Sequence, residues 1–153
     1  MSDHDSGESR EVTITYYGGN TRTATIVDQE VPYPDGKLIV SRTDIKGFIT
    51  HANQSFIDMS GYSEQELIGT NHNILRHPDM PAVAFAGLWE TLAAGVKWHG
   101  YVKNLRKDGA YYWVKATVIP NIREGQLVGY TSVRRKPSRS KIKESEALYA
   151  TLM

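Results

Sequence analysis

Trp98-His99-Gly100-Tyr101-Val102-Lys103-Asn104-Leu105-Arg106-Lys107-Asp108-Gly109-Ala110-Tyr111-Tyr112-Trp113-Val114-Lys115-Ala116-Thr117-Val118-Ile119 is the stretch on which the fold turns. Aromatic and β-branched residues fill both ends, so Trp98 to Arg106 and Tyr111 to Ile119 read as strands around a Lys107-Asp108-Gly109 turn. Side chains alternate across a strand, which puts Trp98, Gly100, Val102 and Asn104 on one face. Downstream, the Arg123-Glu124-Gly125 turn introduces a further strand, Leu127 to Arg135, and completes an antiparallel meander.

Upstream, strands are expected over Leu38 to Thr43 and Phe48 to His51, joined by a turn at Asp44 to Gly47. Asn53 is placed to cap a short helix through Met59, stopped by Gly61. Ser63 and Glu66 have capping-box spacing, so Glu64 to Ile68 reads as a helical turn ended by Gly69. Phe85, Leu88, Trp89 and Leu92 then recur at helical spacing up to Gly95. The order is two strands, a helical middle and a three-stranded meander, an α+β class.

Between the helical segments lies Asn71-His72-Asn73-Ile74-Leu75-Arg76-His77-Pro78-Asp79-Met80-Pro81, where prolines interrupt both periodicities. Arg76 offers a planar fork for phosphate or carboxylate, and His77 can donate or accept. Asp79 is expected to cap the helix that follows, with Pro81 in its first turn. For Arg76 and His77 the sequence leaves a ligand role and a solvent-facing role equally open.

A chain of 153 residues with a formal net charge of +1 is one domain's worth, and nothing in that charge points to nucleic acid. The absence of cysteine excludes disulfides, thiolate metal sites and thiol nucleophiles. No apolar run reaches membrane-spanning length, and the chain reads as soluble and cytoplasmic, either whole or part of a larger protein. Met1 to Arg10 are expected to form a mobile end. Val12 to Tyr17 and Thr21 to Val27 suggest a hairpin around Gly18-Gly19-Asn20, with a boundary at Pro32 to Gly36. Residues 1-36 are thus an N-terminal extension, 37-137 the main domain and 138-153 a C-terminal helix capped by Ser138, with Ile142, Leu148 and Leu152 as its apolar positions.

Asn53-Gln54-Ser55-Phe56, Ser60-Gly61-Tyr62 and Glu66-Leu67-Ile68-Gly69, followed by Arg106-Lys107-Asp108-Gly109 with Tyr112-Trp113, resemble the two halves of the PAS sensor family. The resemblance implies a five-stranded antiparallel sheet with short helices on one face. Arg76 to Pro81, Ala84-Phe85, Leu88-Trp89, Thr91-Leu92, Gly95, Trp98, Gly100 and Val102-Lys103-Asn104 are similar to the flavin-binding PAS domains of the bacterial aerotaxis receptor type. Such domains hold FAD noncovalently and report its redox state to a downstream signalling domain. The resemblance implies cofactor contacts at Asn53, Arg76, His77, Asp79, Trp98, Asn104 and Tyr112.

Each residue also has a plainer reading. Trp98 can simply cover the sheet, and Asn104 can bond to backbone instead of a ligand edge. Trp89 and Trp113 are read as core packing. Gly100 is read as clearing room for a flat ring to approach the sheet. His51, His72 and His99 lack metal-ligand spacing and are expected at the surface or in turns. Arg134-Arg135-Lys136 is read as a solvated strand end. Light-driven cysteine adduct chemistry is excluded by composition. A haem-binding PAS gas sensor with His77 as axial ligand and a cofactor-free PAS dimerisation module are the rivals. No nucleophile elbow, phosphate-cradling glycine loop or zinc signature marks an enzyme. The apolar N-terminal hairpin must cover its own sheet or that of a second copy, and a homodimer is expected.

Overall fold

The computed structural model describes residues 9-16 and 19-153. Among these residues, seven strands form two sheets. The N-terminal hairpin pairs β1 (Ser9–Thr15) with β2 (Thr21–Val27). The second sheet contains β3 (Ile39–Thr43), β4 (Ile49–Ala52), β5 (Trp98–Leu105), β6 (Tyr111–Arg123) and β7 (Gln126–Arg135), all antiparallel in the order β4-β3-β7-β6-β5. Because β4 and β5 lie at opposite edges, the chain between them must cross a face of the sheet. Its elements are α1 (Gln54–Ser60), α2 (Glu64–Leu67), a 3-10 turn (His72–Leu75) and α3 (Ala82–Ala93).

The short helices are set by their caps. The Asn53 side chain accepts from the Phe56 amide, and α1 ends where Gly61 takes a φ of 78°. Ser63 and Glu66 complete the expected capping box of α2, contributing about 1 kcal/mol at that end. Packed between these helices and the sheet are Ile39, Ile49, Phe56, Leu67, Leu75, Tyr112 and Val114. This core fills one half of the covered face. Over the other half, α3 stands off the sheet.

Two further elements complete the molecule. In α4 (Arg139–Thr151), the Ser138 hydroxyl accepts from the Lys141 amide as expected. The buried positions of α4 are Ile142 and Ser145, whereas Leu148 and Leu152 are exposed. Tyr149 anchors it instead: the ring stacks on Trp113 at 6.3 Å and the hydroxyl donates to the Tyr101 carbonyl at 2.7 Å. Tyr101 and Trp113 have the opposite parity to Val102 and Val114, so α4 covers the far face of the sheet. Trp113 is buried as expected, but under this helix.

The hairpin covers its own chain. Ile14 and Ile26 bury against Leu105, and the Arg22 guanidinium donates to the Ile74 carbonyl at 3.1 Å. Gly109 is required twice, for its φ of 91° and because a Cβ would lie 2.7 Å from the Thr25 carbonyl oxygen. Strand order begins at Ser9, inside the expected mobile end, and Tyr17 and Gly18 of the expected hairpin lie outside the described residues, as do Met1 to Glu8. Among the described residues no helix is long and apolar enough to cross a membrane.

Candidate functional site

Where α3 stands away from the sheet there is a cavity of about 460 Å³. The helical stripe Phe85, Leu88, Trp89 and Leu92 forms one wall, and Trp98, Val102, Val114, Ala116 and Val118 form the other. Only Leu92 of that stripe is fully buried, and Trp89 retains 36% of its surface. Trp89 is therefore not core packing; it meets Tyr130 edge-on at 5.7 Å across the cavity. A chain that spends four large apolar side chains on a space it does not fill has the walls of a small-molecule site.

Polar groups enter from three directions. Asn71, His72, Asn73 and Arg76 come from the central loop, Lys46 from the β3–β4 turn, and Asn104, Ser132 and Arg134 from the sheet. No carboxylate lines this space among the described residues, whereas Lys46, Arg76 and Arg134 do.

The loop is held along the β5 edge. Arg76 pairs with Asn104 through the backbone, and the Lys103 amide contacts the Met80 sulfur at 3.4 Å. The Arg76 guanidinium lies 4.4 Å over the Phe85 ring and donates to the Met80 carbonyl at 2.7 Å, leaving Nε without a partner. Burial lowers its pKa, and the nearby Tyr16 opposes the shift. Tyr16 also lines the cavity, so the hairpin reaches the site.

Asp79 does not cap α3. Its carboxylate is drawn 2.7 Å from Lys103 Nζ, and Pro81 occupies the N-cap position with no side-chain cap. Burial pushes this carboxyl up, but the Lys103 hydrogen bond and charge outweigh it and hold it below the usual range. His77 is 2% exposed, and its Nδ1 accepts from the Asp79 amide at 3.0 Å. Burial, then the Lys103 charge, pushes its pKa down and keeps the ring neutral. His77 and Asp79 thus brace the loop against β5 and do not line the cavity.

Of the seven sequence-derived positions, Arg76, Trp98 and Asn104 come together at the cavity wall. Asn53 stands outside it, with its side chain engaged by the Val40 and Phe56 amides and the Leu38 carbonyl. Tyr112, opposite Asn104 in register, is fully buried beneath the wall. Burial pushes its pKa up to about 12, and its hydroxyl, close to Asn104, completes no well-formed hydrogen bond.

His72, expected at the surface or in a turn, and Arg134, expected at a solvated strand end, both line the cavity. His72 turns inward from the 3-10 helix and stacks on Phe56 at 5.9 Å, and burial together with Arg134 brings its pKa down to about 3. Arg134 is 2% exposed, while its neighbour Arg135 is exposed. The signal was available in β7, where alternation puts Tyr130, Ser132 and Arg134 on the face shared with Ala116 and Val118.

Gly100 also has a different role from the expected one. A Cβ there would collide with the outer ring carbons of Trp98, so the glycine makes room for the chain's own indole. Gly100→Ala should force that ring out of place and cost ~1–3 kcal/mol of stability, as overpacking does. A thermal melt unchanged from the parent would show that the indole swings aside freely.

A model of the PAS fold matches residues 49–134, more than half of the chain. The sequence is 46% identical over 127 residues to the aerotaxis receptor of Escherichia coli (strain K12), covering 83% of this chain and 25% of that protein. The chain therefore spans about a quarter of that relative. Among solved structures, the PAS domain of a Colwellia psychrerythraea protein aligns at 27% identity with a TM-score of 0.61, covering 67% of this chain and 87% of that one. A light-oxygen-voltage domain studied with a flavin analogue aligns at 25% identity with a TM-score of 0.63, covering 74% and 86%. With the five-stranded sheet, the crossing helices and the family match in agreement, this chain belongs to the PAS-fold family.

Proposed function

We propose that the chain is an FAD-binding redox-sensing domain, an input module for a downstream signalling domain and not an enzyme, and that it works in the cytoplasm. The observation that carries this reading is the aromatic cavity with amides and unneutralised cations in its walls and, among the described residues, no carboxylate. An isoalloxazine ring requires flat apolar walls and amide partners for its polar edge, and a pyrophosphate requires a guanidinium. Trp98, Leu88 and Val114 supply the first, Asn104 and Asn73 the second, and Arg76 the third. Similarity to a protein named an aerotaxis receptor and to a domain studied with a flavin analogue supports the choice of cofactor and setting. The haem alternative loses its expected ligand, because His77 is turned away from the cavity. The expected pairing of two copies gains no support from the hairpin, whose apolar face lies against its own chain.

Bound FAD supplies a ring whose charge and protonation change on reduction. The residues that meet that change sit on strands that leave the site: β7 carries Ser132 and Arg134 into the cavity and continues through Pro137 into α4. Different redox forms shift the arrangement of α4 only to the extent that they are bound differently. Reduction should therefore alter hydrogen exchange over residues 127–152 more than over α3. A change confined to residues 71–81 would contradict this route.

A further inference from the structure

Among the described residues, Arg134 is a buried cation with no anion beside it. Its Nη2 donates to the Ser41 hydroxyl, Nη1 lies 3.4 Å from His72 Nε2, the guanidinium carbon sits 4.5 Å over the Phe56 ring, and Nε has no partner. Tyr33 and Tyr112 are the other ionisable groups acting on it, and burial keeps both phenols protonated. Ser41 on β3, Phe56 on α1, His72 on the 3-10 turn and Tyr112 on β6 are thus all neutral. No acidic side chain forms an ion pair with Arg134 among the described residues. Arg76, the other buried guanidinium at the cavity, at least has a backbone carbonyl acceptor. Keeping an uncompensated charge in the interior is costly, and a ligand that brings a negative charge removes much of that cost.

We propose that Arg134 is a specificity-determining residue that selects the negatively charged reduced form of the bound isoalloxazine over the neutral oxidised form. This rests on the flavin reading above. Two electrons from an external reductant and one proton from solvent leave the ring with one negative charge; a second proton would neutralise it. Arg134 opposes uptake of that second proton, because only the anion matches its unpaired charge. Reduction is then felt directly by β7, the strand that leads to α4.

The test uses the full chain loaded with FAD and reduced anaerobically with dithionite. Its readouts are the pH dependence of the midpoint potential, which gives the protons taken up per two electrons, and the spectrum of the reduced ring. In the mildly acidic range where free reduced flavin takes up two protons, the parent protein should take up one. Arg134→Gln should take up two, and should bind reduced FAD ~10–100-fold more weakly while its affinity for oxidised FAD changes by less than about 3-fold. Arg134→Lys, retaining a point charge, should fall between them. Uptake of two protons by the parent, or equal weakening of both redox forms in Arg134→Gln, would overturn the proposal. The parent measurement needs no variant, so it can overturn the proposal even where Arg134→Gln does not fold, and Arg134→Lys then assigns the effect to this side chain. Flavin bound with two protons taken up overturns this inference alone, whereas a chain that binds no flavin overturns the functional reading as well.

Discussion

Arg76→Ala is expected to bind FAD ~10–100-fold more weakly than the parent, the loss that follows when a charge-assisted pair to a phosphate is removed. The side chain is suited to that contact because Phe85 and the Met80 carbonyl hold the guanidinium in place at the cavity wall while Nε is left unused. Arg76→Lys should be intermediate, since an ammonium restores charge without the planar fork. Arg76→Ala also loses the tie to the Met80 carbonyl, so the loop will loosen and the apoprotein will melt somewhat earlier. Titration with FAD separates the two effects. Unchanged affinity in a destabilised Arg76→Ala would make the arginine a loop brace and nothing more.

The second large effect is on acid stability. His72 and His77 are both neutral in the folded chain, with pKa values pushed down by burial first and by Arg134 and Lys103 second. In the unfolded chain they titrate near the ordinary value of about 6.5. Below that pH the unfolded chain binds protons that the folded chain refuses, so stability falls as pH drops from 6.5, for His72 down to about 3. The slope approaches ~1.4 kcal/mol per pH unit for each histidine, the free energy equivalent of one pKa unit. Asp79 adds a later loss: its folded pKa is depressed, so its contribution is present above the unfolded value of about 3.9 and disappears as pH falls through the folded one. Denaturant melts at pH 7, 6, 5 and 4 should show a falling midpoint, with a shallower fall in His77→Gln. A flat profile from pH 7 to 5 would show that these rings protonate within the folded state.

Legibility in the sequence followed the range of the interactions. The caps at Asn53 and Ser63, the stop at Gly61 and the turn at Gly109 act over three or four residues, and each lies where the spacing put it. The strands of the meander follow from alternation, although β6 runs on to Arg123 because β7 continues to pair with it beyond Ile119. What escaped depended on partners far away in the chain. Asp79 has the right position for a cap, yet Lys103, placed alongside by the loop's path along the β5 edge, attracts it more strongly. Arg134 and Arg135 look alike in sequence, and only the direction of the pleat puts one in the cavity and the other in solvent. The stripe of α3 has the spacing of a core face, and spacing does not distinguish a packed core from a cavity wall. The aliphatic residues of the C-terminal helix likewise do not show its seat: an aromatic stack with Trp113 and a bond to the Tyr101 carbonyl place it.

Whether the cavity holds FAD is decided by the absorption spectrum of the purified full chain, followed by heat release and chromatography of whatever it carries. The two bands of an oxidised flavin are expected, with FAD, not FMN, in the released fraction. A colourless protein that stays colourless after incubation with FAD, or one with a Soret band and no flavin, would contradict FAD binding.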